Sequence, residues 1–287
     1  MMYVNLAPGH IGIDLPLAEL IPLAQRHGFE GIDLPIEQIE QGLEMPEPEL
    51  ESQMKDAGLR WGSFDVGWDF AADSQTYERR LELLKKWAPI AQRLGCDRAT
   101  TGARPGSDEL EYEANFKLHV DRLRPIAHLL ADHGIRLGLE FIGPKTLRDE
   151  LKYPFIYTLP QMLELLAAIA PLEWEESVGV LLDSYHWYLS GGTEEDLLTL
   201  LDNQKIVVVH INDAVAGRSA DQQMDLERTL PLASGIIDAA TFTRSLKALH
   251  YDGPVTVEPF NEELNALSAD EAAARTATAA RAMLALG

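Results

Sequence analysis

The sequence predicts an α/β protein, a single-domain (β/α)8 TIM barrel over residues 1–287, and three observations predict it. Strand-like and helix-like segments alternate from one end to the other, eight of each, which is the pattern of a closed parallel sheet ringed by helices. The length suits one such barrel with a substantial core. Four short apolar runs in the second half each end on a side chain able to bind a metal. Runs this short and apolar read as strands buried on both faces, and barrels place their sites at the carboxyl ends of such strands.

Taken in order, Tyr3–Leu6 is the first strand, followed by a helix with Asp14 as expected N-cap, Pro16 in its first turn and Gly28 past its end. Gly31–Leu34 is the second strand, Pro46–Gly58 a helix and Arg60–Val66 the third strand. Tyr77–Leu94 has the periodicity of a long amphipathic helix, Asp97–Thr101 is a weak fourth strand, and Tyr112–His133 is a helix closed by Gly134. The four ligand-ending strands follow, with helices at Leu159–Ala170, Glu194–Leu201 and Ala239–His250 between and after them. The last helix opens on Ser268 and Glu271 at capping-box spacing. An open doubly wound sheet is the competing arrangement, but no G-x-G-x-x-G follows the first strand. The segment Ala214–Gly235 is long and polar for a βα loop and is expected to lie functionally over the barrel mouth.

The formal net charge is -22, from 46 acidic and 24 basic residues. That field opposes phosphate backbones and anionic lipid surfaces, so neither nucleic acid nor membrane is expected as a partner. No apolar stretch is long enough to span a bilayer. Cys96 is the one cysteine, which rules out an intramolecular disulfide and fits a reducing, cytoplasmic location. The sequence leaves a homo-oligomer open.

The chemistry sits at the strand ends. Leu137-Gly138-Leu139 runs into Glu140, Val180-Leu181-Leu182 into Asp183, Val207-Val208-Val209 into His210, and Val255-Thr256-Val257 into Glu258. Any one of these residues alone reads as a cap, an ion-pair partner or a hydrogen-bonded core group. Together they share one position on consecutive strands, so their side chains can converge. Three carboxylates and an imidazole with open positions suit one divalent ion, with Mn, Co or Mg favoured and Zn allowed. His186, three residues after Asp183, is expected to donate a hydrogen bond to substrate. Arg228, in the polar loop, is expected to hold a substrate oxygen and balance developing negative charge. His10, after the first strand, can reach the mouth, and Lys145 and Arg148 follow Glu140 as lid or supporting residues. Trp61, Phe64, Trp68, Trp187 and Tyr188 could wall a sugar ring or simply pack the barrel. Asp65 and Asp213 also stand near strand ends.

On these residues the chain resembles the xylose-isomerase-like TIM-barrel superfamily of sugar isomerases and epimerases, over essentially its whole length. The order Glu140, Asp183, His210, Glu258, the D-x-x-H of Asp183 and His186, and the R-x-x-P of Arg228 and Pro231 carry the resemblance. The similarity to ketose 3-epimerases implies that Glu140 and Glu258 serve as metal ligands and as the acid/base pair, with substrate oxygens held by His186 and Arg228. It implies proton abstraction beside a carbonyl through an enediolate. Return of the proton then gives epimerisation or aldose–ketose isomerisation of a sugar or polyol. Loss of a β-hydroxyl, as in the inosose and dehydroshikimate dehydratases of the superfamily, is the second expectation, and a non-catalytic sugar-binding barrel the third. Where those epimerases carry a further glutamate this chain has Lys145, Thr146 and Arg148, and where many relatives have P-G-E-G it has Pro231-Leu232-Ala233-Ser234-Gly235. Both departures bear on substrate identity. Endonuclease IV resembles the chain at the same ligands. It also needs histidines at the third and fourth strand ends, where this chain has Ser63-Phe64-Asp65 and Ala99-Thr100-Thr101.

Overall fold

The computed structural model describes residues 1–42, 45–68, 71, 73–170 and 176–286. Its strands in chain order are β1 (Tyr3–Leu6), β2 (Gly31–Ile32), β3 (Arg60–Trp61), β4 (Phe64–Asp65), β5 (Arg98–Ala103), β6 (Gly106–Ser107), β7 (Arg136–Phe141), β8 (Tyr153–Pro154), β9 (Val178–Asp183), β10 (Ile206–Ile211) and β11 (Pro254–Val257). Nine of them form one sheet in the order β3-β2-β1-β11-β10-β9-β7-β5-β4, and every pairing in it is parallel. The two ends of that order, β3 and β4, are halves of one passage of chain separated only by Gly62 and Ser63. The first half pairs with β2 and the second with β5, so the sheet closes on itself as a (β/α)8 TIM barrel. The remaining pair, β6 and β8, is a short antiparallel ribbon joining two loops at the mouth.

The break between β3 and β4 has a local cause. The Ser63 N–H donates to the Asp33 carboxylate at 2.9 Å instead of to a neighbouring strand. Gly62 lies against the buried Asn5 amide, where a Cβ would come within 2.3 Å of Asn5 Oδ1. One side chain thus takes over the Ser63 position, while the Gly62 amide still donates to the Ile32 carbonyl at 2.8 Å and the Leu34 amide to the Ser63 carbonyl at 2.9 Å.

Helices surround the sheet, and their ends show why they stop where they do. The first, Leu17–His27, takes Pro16 as its N-cap rather than the expected Asp14, and ends at Gly28 with φ 72°. Only glycine adopts such left-handed backbone without strain. Ser74–Leu94 begins a turn before the sequence pattern suggests, because Asp73 caps the Gln75 and Thr76 amides. Ala269–Leu284 opens on Ser268, which accepts from the Glu271 amide as its spacing predicts. One large apolar cluster fills the space between helices and sheet. Inside the barrel, Leu181, Val207 and Val208 form a separate plug, so the interior is packed and the open space lies at the mouth. Among the described residues no helix is long and apolar enough to cross a membrane.

Candidate metal centre and active-site pocket

The barrel brings Glu140, Asp183, His210 and Glu258 to one point. One ligand-type atom from each lies within 4.8 Å of the others. Glu140 and His210 are the penultimate residues of β7 and β10, Asp183 is the last of β9, and Glu258 follows β11. Register sets His210 directly beside Asp183. All four are buried.

Each ligand is held by neighbours that the fold supplies. Asp183 accepts from the Tyr185 amide at 2.6 Å, where it caps the short helix Ser184–Leu189, and from Asn212 Nδ2 at 3.1 and 3.2 Å. Arg228 Nη1 donates to Asp183 Oδ2 at 2.8 Å and to Glu258 Oε2 at 2.7 Å. The rest of the guanidinium is occupied too, since Nε donates to the Asp225 carbonyl at 2.8 Å and Nη2 to Asp225 Oδ1 at 2.9 Å. The guanidinium lies against the faces of Tyr185 and Phe260, at 4.7 and 4.9 Å. Phe260 holds φ at 39°, a backbone strain placed at the site. Arg228 therefore lines the cavity, but its donors are spent on the ligand carboxylates and their loop rather than left open for substrate.

His186 is fully buried. Its Nδ1 accepts from the Gly143 amide at 3.2 Å. Its Nε2 lies 3.6 Å from Glu140 Oε1 and 3.9 Å from Asp225 Oδ1. Arg228 Nη2 directs a hydrogen at the same nitrogen from 3.3 Å, so two N–H groups compete for the one acceptor nitrogen of a neutral ring. Gly143 is required here, because a Cβ would sit 2.7 Å from the His186 carbonyl oxygen. Burial, then the Arg228 charge, holds the His186 pKa well below its ordinary value, so the ring stays neutral.

Three buried carboxylates, Glu140, Asp183 and Glu258, face one buried arginine. Burial, reinforced by the Glu258 and Asp183 charges, pushes Glu140 well above the usual carboxylate range. Burial raises Asp183 to about 6 against the pull of Arg228. Burial would raise Glu258 as well, but His210, His10 and Arg228 outweigh it and hold that carboxyl well below the usual range. His210 moves up, since the Glu258 and Asp183 charges overcome burial.

Two atoms of the set, Glu140 Oε1 and His210 Nδ1, are buried without a hydrogen-bond partner. They face each other at 4.0 Å, and His210 Nδ1 also lies 3.4 Å from Glu258 Oε2 without hydrogen-bond alignment. Leaving such groups unsatisfied costs about 1–3 kcal/mol each. A divalent ion fits on both counts: it would satisfy the orphaned atoms and offset the excess negative charge. The oxygen-rich donor set with one imidazole suits such an ion.

Glu140, His210 and Glu258 open into a cavity of about 470 Å³, within the range of small-molecule sites. His10 lines it, with Nε2 3.4 Å from Glu258 Oε1 and its ring edge-on to His210. Of the five aromatic residues read as wall or core, only Trp68 lines the cavity. Trp61, Phe64 and Trp187 are buried in the core cluster and Tyr188 packs against it. Lys145 lies outside the cavity lining and donates to Asp221 at 2.8 Å. With Thr146, which donates to the Gln223 carbonyl, it ties the loop after β7 to the loop after β10. That second loop, Ala214–Gly235, carries Asp225, Leu226 and Arg228 into the cavity wall. It is firmly built. Gln223 is fully buried and bonded to Val215, and the Asp213 carboxylate accepts from the Ser234, Gly235 and Ile237 amides.

Asn212, Asp225 and Asp33 have roles here that the sequence reading did not assign. Asn212 had a signal, lying two residues past His210 on a strand end. Asp225 stands at i, i+3 from Arg228, a spacing that carries little weight inside an irregular loop. Asp33 read as a strand interior because β2 was expected to run to Leu34.

A model of the xylose isomerase-like TIM barrel family matches residues 21–285. Inosose isomerase from Bacillus subtilis (strain 168) is 28% identical over 159 residues, 54% of this chain and 51% of that protein. The match thus spans about half the length of that curated relative. A xylose isomerase domain protein from Alicyclobacillus acidocaldarius subsp. acidocaldarius has a TM-score of 0.86 at 30% identity, covering 100% of this chain and 99% of the other. An IolI protein crystallised with a bound zinc atom gives a TM-score of 0.82 at 20% identity, covering 99% and 98%. By its barrel and the match across most of its length, the chain belongs to the xylose isomerase-like TIM barrel family.

Proposed function

We propose that this protein is a divalent-metal-dependent isomerase or epimerase that removes the proton beside the carbonyl of a keto-sugar or keto-cyclitol. The observation that carries the reading is the convergence of Glu140, Asp183, His210 and Glu258, with two of their atoms unpartnered and three of the four residues lining one cavity. These four residues would hold the ion. When bound, a divalent ion supplies Lewis-acid stabilisation of charge growing on a carbonyl oxygen and orients neighbouring oxygens.

The protein's own groups handle the proton. Glu140 and Glu258 come from strands that lie on either side of β9 and β10 in the barrel. One carboxylate takes the α-proton as general base, and the other, entering as the acid, returns a proton. Return to the opposite face of the same carbon gives the epimer, and return to the neighbouring carbon gives the isomer. His186, held neutral by burial, stands beside Glu140 with its Nε2 3.6 Å from Oε1. Arg228 keeps Asp183 and Glu258 in place. The name of the curated relative, inosose isomerase, favours a cyclic ketone as substrate, and the zinc in the IolI structure favours a single divalent ion.

Metal-stripped protein reloaded with Mn, Co, Mg or Zn and incubated in heavy water with a panel of inososes and ketohexoses tests the reading by NMR. An epimer carrying deuterium at the carbon beside the carbonyl, or an isomer carrying it at the original carbonyl carbon, formed only with metal, is the expected outcome. A dehydrated product would overturn isomerisation in favour of a lyase. Absence of deuterium from every compound with every metal would overturn proton abstraction itself.

A further inference from the structure

The metal ligands come from the last four barrel strands. The wall contributed by the first four contains a second prepared group, Asp33, immediately after β2. Its Oδ1 accepts three hydrogen bonds, from Asn5 Nδ2 at 2.8 Å, the Ser63 amide at 2.9 Å and Ser63 Oγ at 3.3 Å. Among the described residues nothing donates to Oδ2, and the residue lines the cavity. The supports are themselves buried. Asn5 is 1% exposed and also donates to Thr256, which is equally buried. The Asn5 amide fits only because residues 31 and 62 are glycine, where a Cβ would stand 2.8 and 2.3 Å from Asn5 Oδ1. The fold thus commits a buried amide, two glycines and an interrupted strand to orienting one carboxylate with an oxygen left over.

A carboxylate oxygen accepts hydrogen bonds and donates none, so its complement is a hydroxyl or an N–H. The rest of the cavity speaks to charge. Beyond the carboxylates that the ion and Arg228 would offset, Asp33, Asp65 and Glu150 line it, against Arg104 at the rim. A phosphate or carboxylate on the substrate would meet that field unfavourably, whereas neutral hydroxyls would not.

We propose that Asp33 is a specificity-determining residue, its Oδ2 accepting a hydrogen bond from a ring hydroxyl of an uncharged cyclic polyol whose reacting carbons face Glu140 and Glu258. A ring carrying hydroxyls around its edge can meet both halves of the mouth at once. This rests on the isomerase reading above and adds the substrate class: an unphosphorylated cyclitol ketone.

The test uses Asp33→Asn, which keeps Oδ1 for Asn5 and Ser63 but places an amide donor where Oδ2 accepts. Calorimetry on the metal-loaded protein with myo-inositol, which has no carbonyl, reads binding apart from turnover. Losing a hydrogen bond to a charged acceptor should weaken binding about tenfold to a hundredfold, with the melting temperature and metal stoichiometry unchanged. Within the set of monodeoxy-inositols, one should bind wild type and Asp33→Asn equally, because it lacks the hydroxyl that Asp33 accepts. Equal binding of myo-inositol to both proteins, no binding to wild type, or an equal loss for every deoxy compound would overturn the assignment. Proton exchange with dihydroxyacetone, too small to need Asp33, keeps the two readings apart. Exchange intact in both proteins with unchanged inositol binding would sink the Asp33 role alone, whereas no exchange in either would count against the isomerase chemistry.

Discussion

Replacing either Glu140 or Glu258 with glutamine is expected to lower deuterium incorporation by about 10²–10⁴-fold while the barrel remains folded. The amide keeps the size of the carboxylate but cannot carry the proton. The two variants should differ in stability before any metal is added. Glu140 is crowded by the charges of Glu258 and Asp183 and has a buried oxygen without a hydrogen-bond partner. Neutral glutamine there relieves like-charge repulsion, so Glu140→Gln should melt at or above the wild-type temperature. Glu258 is the reverse case, sharing Arg228 with Asp183 and standing 3.4 Å from both His10 and His210. Glu258→Gln should lose about 1–3 kcal/mol, the usual cost of breaking a charged hydrogen bond. Thermal denaturation and NMR exchange on the same preparations measure both effects. Full exchange activity in either variant would remove that residue from the acid/base pair.

Arg228→Ala should bring the largest loss of stability. The guanidinium is 2% exposed and bridges two buried carboxylates. Removing one partner of a buried ion pair leaves uncompensated charge and costs about 3–5 kcal/mol, a fall on the order of 10 °C in melting temperature. Because the lost cation sits among the proposed ligands, a divalent ion should restore part of that loss and should stabilise the variant more than it does wild type. Arg228→Lys should fall between the two, since one ammonium cannot reproduce the fork that reaches Asp183, Glu258 and Asp225 together. An unchanged melting temperature in metal-free Arg228→Ala would show that the bridge contributes nothing.

The latter half of the barrel was the legible half, and the reason is physical. β7, β9 and β10 are each six residues long and almost entirely buried, so a continuous apolar run marks them and the polar residue that breaks the run marks the mouth. The first half obeys a different logic. β2 and β3 are two residues each, and just past them the Ser63 amide goes to the Asp33 carboxylate, which Asn5 also holds, rather than to a strand. No local pattern of hydrophobicity reports that exchange, since it depends on residues 28 and 30 positions apart. Arg228 shows the same limit. Its residue type suggested a substrate contact, but its partners are set by how Ala214–Gly235 folds back over the mouth. Lys145 followed a strand end and looked close to the chemistry, yet the chain turns into the helix Lys145–Asp149 and carries the ammonium out to Asp221. The aromatics divide by burial, which their spacing did not reveal. Trp61 and Trp187 are core, and Trp68 alone among those five reaches the cavity.

The most direct measurement is an anomalous difference map from crystals of the protein loaded with Mn, recorded on both sides of the metal's absorption edge. The expected map shows one strong peak within about 2.0–2.6 Å of oxygens from Glu140, Asp183 and Glu258 and a nitrogen of His210. Its height should fall when Glu140 is replaced by glutamine. A peak held by other residues, or a featureless map from a protein that still exchanges the α-proton, would contradict the assignment of this centre.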